Sequence, residues 1–270
     1  MKKILTAFLS ALMIITTATA CSSDNNSSGS DDSLQKVKDS GKLVLGLDSG
    51  FPPMGFQDEN GEIIGFDIDL AKEVTKRMGV ELELKPIVWS TNISQLNSGN
   101  IDCVWNGMSI NDERREKMLL SEPYMKNRMV LVVTNSSGIN SSAELKDKVI
   151  GVQNGSTAHG ILEESTFNDD AKSITGFEDN LKGFMTLEAG GIDSLFIDEV
   201  FAEYYITSNN KDFKILSDGA LADEEYAIGF RKGDTSLRDE VQKILSEIKA
   251  DGTAEEISKK WFGEDITTIP

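Results

Sequence analysis

Any chemistry in this chain must come from a small set of side chains. Arg114 is a permanent cation, Asp48 and Asp198 are anions, Ser109, Ser156 and Thr157 carry hydroxyls, and Phe51 and Trp89 are aromatic. A guanidinium fork grips a carboxylate bidentately. A carboxylate grips an ammonium, and aromatic walls that exclude water strengthen both contacts. The set suits a small zwitterion. Residues for turnover are missing: there is no G-x-S-x-G elbow, no G-x-x-x-x-G-K-[ST] phosphate loop and no H-E-x-x-H pair. The G-x-x-x-G of Gly46 and Gly50 is too short a signal for a dinucleotide site. Two cysteines and one histidine, His159, cannot build a Cys/His metal cluster. No cofactor and no metal are expected, and His159 reads as a surface residue.

The chain has 270 residues, enough for one large domain or two small ones. Its apolar share of 39% and charged share of 27% are those of a globular protein. Acidic residues outnumber basic ones 45 to 27, for a formal charge of −18, which argues against nucleic acid as a partner. The start is an address. Met1-Lys2-Lys3 is basic, and residues 4–15 are mostly apolar but too short to span a bilayer, as in a secretory signal. Ala18-Thr19-Ala20-Cys21 is similar to the lipobox of bacterial lipoproteins, with Ala18 where that motif usually has Leu. Residues 1–20 are therefore expected to be a leader, and 21–40 a lipidated Cys21 followed by a flexible polar tether. The alternative is an ordinary secretion signal with a buried Cys. If Cys21 carries lipid, Cys103 has no intramolecular partner.

The sequence says something similar twice. Val44-Leu45-Gly46-Leu47-Asp48-Ser49-Gly50 shares its pattern with Val149-Ile150-Gly151-Val152-Gln153-Asn154-Gly155. Leu96-Asn97-Ser98-Gly99-Asn100-Ile101-Asp102 runs into Cys103-Val104-Trp105, and Leu187-Glu188-Ala189-Gly190-Gly191-Ile192-Asp193 runs into Ser194-Leu195-Phe196-Ile197. Each reads as a helix end, a glycine stop and a buried strand. Two related α/β lobes follow, unless helix-to-strand joints merely look alike. Between them, Phe66, Leu70, Ala71, Val74 and Met78 lie at helical spacing with Gly79 past the end. Val80, Leu82 and Leu84 alternate with charged residues as in a half-exposed strand. Residues 221–230 read as a connector returning to a strand, and residues 237–248 as an amphipathic helix. Strands alternating with helices predict mostly parallel sheets.

In open α/β sheets, ligands bind beyond the carboxyl ends of strands. Four such ends carry the side chains named first: residues 48–56, 106–114, 153–157 and 197–199. Facing lobes would line one cleft with all four.

Asp48-Ser49-Gly50-Phe51-Pro52-Pro53-Met54-Gly55-Phe56 with Gly65-Phe66-Asp67-Ile68-Asp69-Leu70-Ala71 resembles the opening signature of the polar amino-acid substrate-binding proteins of bacterial ABC importers. So do Asn106-Gly107-Met108-Ser109-Ile110-Asn111-Asp112-Glu113-Arg114, Ser121-Glu122-Pro123-Tyr124, Val152-Gln153-Asn154-Gly155-Ser156-Thr157, Arg231-Lys232-Gly233-Asp234, Asp251-Gly252-Thr253 and Trp261-Phe262-Gly263. The similarity runs over residues 42–263.

The resemblance implies a type II periplasmic-binding-protein fold, an α/β architecture of two lobes with mostly parallel sheets joined by two crossover strands. Lobe I would be 41–126 with 225–270, and lobe II 127–224. It implies that Arg114 holds a ligand α-carboxylate, helped by backbone N–H groups at Ser109 and Thr157. Asp198 holds the α-ammonium with the Gly107 carbonyl and the Ser109 hydroxyl. Phe51 and Trp89 sandwich the ligand side chain, and Asp48 and Gln153 read its far end.

Two positions depart from the family pattern: Asn106 replaces a common Ala or Ser, and Asn111 replaces the usual Thr. The larger Asn106 reshapes the pocket or contacts the ligand.

The function implied is binding of a polar L-amino acid outside the cytoplasm and delivery to an ABC permease driven by its ATPase subunits, by a monomer held to the membrane through lipid alone. It would sit on the cell surface in a Gram-positive source and in the periplasm in a Gram-negative one. Cystine, glutamine or a basic amino acid fits the polar far end. An enzyme on the same fold, similar to cyclohexadienyl dehydratases, and a ligand-sensing surface lipoprotein remain alternatives.

Overall fold

The repeated sequence pattern is a repeated structure. The computed structural model describes residues Asp31–Pro270. In both halves an aspartate ends the repeated motif and performs the same task. Asp102 donates its N–H to Val44 O at 2.7 Å and accepts the Val44 N–H on Oδ2 at 2.9 Å. Asp193 donates to Val149 O at 2.9 Å and accepts the Val149 N–H on Oδ2 at 2.8 Å. The residue before each aspartate packs onto the glycine of the neighbouring strand. A Cβ on Gly46 would lie 2.5 Å from Ile101 Cδ1, and one on Gly151 would lie 2.5 Å from Ile192 Cδ1. A side chain at either position would have to displace the isoleucine packed on it.

The elements follow in chain order. The first half holds α1 (Ser33–Ser40), β1 (Lys42–Leu47), β2 (Gly50–Phe51), β3 (Gly55–Gln57), β4 (Ile63–Ile64), α2 (Phe66–Met78), β5 (Glu81–Pro86), α3 (Asn92–Asn97), β6 (Cys103–Val104), α4 (Asp112–Lys117) and β7 (Leu119–Leu120). The long β8 (Met125–Thr134) leads to β9 (Val149–Gln153), α5 (Thr157–Glu164), α6 (Phe167–Asp170), β10 (Ser173–Phe177), α7 (Asn180–Glu188), β11 (Ser194–Asp198), α8 (Glu199–Ser208) and β12 (Phe213–Ile215). Then come β13 (Ala222–Tyr226), β14 (Gly229–Phe230), α9 (Thr235–Ala250) and α10 (Thr253–Phe262).

One sheet has the order β5-β1-β6-β14-β7, and a second has β10-β9-β11-β8-β12 with β13 also on β8. Each begins with a parallel trio and ends antiparallel: β1 pairs parallel with β5 and β6, whereas β14 is antiparallel to β6 and β7. In the second sheet β9 pairs parallel with β10 and β11, whereas β8 is antiparallel to β11 and β12. The sheets are thus mixed rather than mostly parallel. The returning strands have no helix to carry them back to a parallel start. The chain enters the second sheet along β8 and leaves along β13, and these two crossover strands pair antiparallel from Met125↔Tyr226 to Met129↔Ala222.

The helix spacing of Phe66 to Met78 is realised in α2, which ends at Gly79 with φ +73°. The amphipathic pattern of residues 237–248 lies within α9, burying Leu237, Val241, Ile244, Leu245 and Ile248. The polar segment expected to run to residue 40 stops being a tether sooner. Residues 33–40 form α1, where Val37 is buried and Ser33 Oγ lies 3.0 Å from Ser236 Oγ at the start of α9. Leu34 also packs against the core, its N–H donates to Ser236 Oγ at 3.2 Å, and Ser33 Oγ accepts the Leu237 N–H at 3.2 Å, which docks the helix. The leader and Cys21 lie outside the described residues. No helix among those described is long and apolar enough to cross a membrane.

Removing the carboxylate at the end of either motif takes the acceptor from a strand N–H, that of Val44 in β1 or Val149 in β9. Asp193→Ala is expected to cost about 1–3 kcal/mol of stability, read from the midpoint of urea denaturation. An unchanged midpoint would contradict the structural role of the repeat.

Candidate functional site

The site is built from strand ends of both lobes. Arg114 is the third residue of α4, whose cap is Asn111: the Asn111 Oδ1 accepts the Arg114 N–H at 2.8 Å. The Asn111 Nδ2 also donates across to Thr157 Oγ1 at 3.2 Å, so this departure from the family pattern ties the two lobes. The Arg114 side chain is 4% exposed. Its Nη1 donates to Ser109 O at 2.6 Å and to Thr157 Oγ1 at 3.0 Å, and its Cζ stands 5.5 Å from the Trp89 ring centroid. Nε and Nη2 make no hydrogen bond to protein among the described residues, which leaves a face of the fork for a carboxylate. Burial pulls its pKa down to about 10, against the pull of Glu224 and Asp198, so it stays charged at neutral pH.

Asp198 ends β11 and is 6% exposed. Its Oδ1 accepts from the Tyr226 hydroxyl at 2.7 Å and from Asn127 Nδ2 at 2.8 Å. Oδ2 has no hydrogen-bond partner among the described residues. Burial and the neighbouring Glu224 hold its pKa well above the usual carboxylate range. A cation placed at Oδ2 would relieve that cost.

Gly107 has φ +56°, and a Cβ there would lie 2.8 Å from Phe51 Cε1, so only glycine fits. Its N–H donates to Asp67 Oδ2 at 2.7 Å, and the Tyr124 hydroxyl donates to the same oxygen at 3.0 Å. Asp67, from the first turn of α2, thus holds the loop that faces the cleft.

At the far end, Asp48 Oδ1 accepts the Gly50 N–H at 2.8 Å and Oδ2 accepts Gln153 Nε2 at 2.7 Å. Gln153 Oε1 accepts Asn180 Nδ2 at 3.0 Å. Asn106 Oδ1 accepts the Asp48 N–H at 2.9 Å, and its buried Nδ2 has no protein acceptor. Burial raises the Asp48 pKa. The lobes also meet at Gly155, where a Cβ would lie 2.7 Å from Ser90 Cα.

Asp48, Phe51, Trp89, Asn106, Gly107, Ser109, Arg114, Gln153, Thr157 and Asp198, all singled out in the sequence, line one cleft, together with Met129 and Ser156. Trp89 opens a single turn of 3-10 helix, Trp89–Thr91. Ser109 does not offer its hydrogen to the cleft; its Oγ donates to Glu224 Oε2 at 2.5 Å. His159 is half-buried, with Nε2 3.6 Å from a Glu163 carboxylate oxygen on α5.

Sequence reasoning missed Glu224, Asn127, Tyr226, Met129 and the role of Asp67. The one available signal was period two in the connector: Glu224 and Tyr226 are polar side chains two apart on a strand, hence on one face. Among the described residues no group of three or more His, Cys, Asp and Glu could hold a metal ion.

Comparison with known proteins gives a single family. The family described as bacterial extracellular solute-binding proteins, family 3, matches residues 43–264. An L-cystine-binding protein of Escherichia coli K12 is 32% identical over 236 residues, covering 87% of each chain. A glutamine-binding protein of an ABC transporter from Bacillus subtilis is 31% identical over 276 residues, 98% of this chain and 99% of that one. The crystal structure of a substrate-binding protein of an ABC uptake transporter from Streptococcus pneumoniae, with bound histidine, superposes with a TM-score of 0.85 at 37% identity, covering 88% of this chain and 98% of the other.

Asp67 yields a prediction with a sign. Its carboxyl is fully buried, and burial pushes its pKa from 3.8 to about 7 against the hydrogen bonds from Gly107 and Tyr124. Between those values the folded protein keeps the proton and the unfolded chain loses it, so Asp67 lowers stability as pH rises through this window. Asp67→Asn removes that dependence. Its stability relative to the wild type should climb from about pH 4 to about pH 7, by up to about 1.4 kcal/mol per pH unit. Denaturation at a series of pH values reads this, and a flat or falling difference contradicts it.

Proposed function

The chain belongs to the bacterial extracellular solute-binding proteins, family 3, and from that premise we propose that it binds a polar L-amino acid between its lobes and delivers it to an ABC importer. The observation that carries this reading is the sharing of one cleft by Arg114, from the first lobe, and Asp198, from the second. A zwitterion bridges them. Its α-carboxylate takes the open face of the Arg114 fork, with the Ser109 and Thr157 N–H groups beside it. Its α-ammonium takes Asp198 Oδ2, the Gly107 carbonyl and Ser109 Oγ.

Phe51 and Trp89 flank the side chain and keep water from both ion pairs. At the far end Asp48 accepts from a cationic or amide group. Asn106 Nδ2 and Gln153 suit an amide or a second amino-acid head, in keeping with the cystine and glutamine bound by the relatives above.

The mechanism is binding followed by docking. A ligand that touches both lobes stabilises their closed arrangement by its differential affinity. The closed lobes then engage a permease and its ATPase. The relatives compared are binding proteins, and we assign this chain no turnover. The Ala18-Thr19-Ala20-Cys21 pattern supports cleavage before a lipidated Cys21, which would hold the domain against the outer face of the cell membrane.

A thermal-shift screen of the twenty amino acids and cystine tests the reading. A tight ligand at about 100 times its Kd adds roughly 2.7 kcal/mol of stability. A polar L-amino acid should raise the melting point of the wild type. Arg114→Ala should abolish the shift, because an unpaired buried charge costs about 2–5 kcal/mol of binding. An equal shift in that variant, or none in the wild type, would contradict the function.

A further inference from the structure

Glu224 has no part in the binding scheme above and does not line the cleft. It lies on β13, is 9% exposed, and accepts the Ser109 hydroxyl hydrogen on Oε2 at 2.5 Å. Burial raises its pKa, while the Ser109 hydroxyl and the Arg114 guanidinium favour its ionised form. Directly opposite on β8 is Asn127, which donates to Asp198 Oδ1 at 2.8 Å. Two residues along β13 is Tyr226, which donates to the same oxygen at 2.7 Å. Both side-chain acceptors for an ammonium, Ser109 and Asp198, are therefore held by side chains of the two crossover strands.

A serine hydroxyl has one hydrogen and two lone pairs. With the hydrogen directed to Glu224, Ser109 Oγ presents only lone pairs to the cleft. That polarity suits an ammonium N–H. The geometry points to Glu224 as a positioning residue that makes Ser109 an obligate acceptor and thereby sets the preference for an α-amino group over an α-hydroxyl group. This deepens the amino-acid reading and rests on it. The α-carboxylate half of the site, on Arg114 and Thr157, does not depend on the Ser109 hydroxyl.

The test uses L-cystine, L-glutamine, L-arginine and L-histidine. For the one that the wild-type protein binds tightest, the matching acid is also titrated, with a hydroxyl in place of each α-amino group. Affinities are measured by calorimetry for wild type, Glu224→Gln, Ser109→Ala and the double variant. Each single variant should lose about tenfold or more in affinity for the amino acid, and much less for the hydroxy acid, so the discrimination ratio falls. The double variant should lose less than the product of the two single losses.

A Glu224→Gln variant that loses affinity for both ligands equally, or keeps the wild-type ratio, overturns the assignment, as does a double variant whose losses multiply. Should Glu224→Gln melt far below wild type, Ser109→Ala decides alone through the same ratio. If the wild type binds none of the four, the same titrations are made with the polar amino acid that raises its melting point most; if no amino acid raises it, the functional reading fails first, and this assignment with it.

Discussion

A guanidinium buried to 4% exposure, with part of its fork unbonded, is the constraint on which this structure turns. Taking a charge out of water costs several kcal/mol unless a partner supplies matching geometry. Arg114 finds partial relief from a carbonyl, a hydroxyl and the face of Trp89. The carboxylates whose fields it feels, Glu224 and Asp198, pair instead with Ser109, Asn127 and Tyr226. The charges are kept apart in an enclosed cleft, each with open valence. A small molecule carrying both opposite charges satisfies both at once, and one carrying a single charge leaves the other exposed to a low dielectric.

The rest of the fold reads as the means of holding that arrangement. Two lobes of like design each place a glycine-bearing strand beside an aspartate-anchored one, so both present loops at the same end of their sheets. The crossover strands do more than connect. They pair with each other, and from their paired faces come Asn127, Glu224 and Tyr226, which fix the acceptors of the site. Rotation of the lobes about these strands would change the site's geometry, so closure and recognition share the same residues.

Much of this was legible in the sequence, and for a physical reason. The lining residues sit in short segments at strand ends, where glycine, proline and aromatic residues interrupt the apolar pattern. Helices such as α2 announce themselves by period and by a glycine stop. The supporting carboxylates were not legible. Glu224 touches Ser109 across 115 positions, and Asn127 touches Asp198 across 71, contacts that no local spacing encodes. A buried aspartate such as Asp67 looks, in sequence, like any polar residue in the first turn of a helix. The antiparallel half of the first sheet was missed because strands as short as β7 and β14, two residues each, leave no periodic trace, and that of the second because the pairing of β8 with β11, β12 and β13 joins residues far apart in the chain. The docking of α1 was missed because a polar run hides a single buried valine.

The most direct measurement is a crystal structure of the protein with the amino acid that stabilises it most. The account requires one ligand molecule in the cleft, its α-carboxylate on the free edge of the Arg114 fork and its α-ammonium on Asp198 Oδ2. A ligand bound in the opposite sense, or touching one lobe alone, would contradict it.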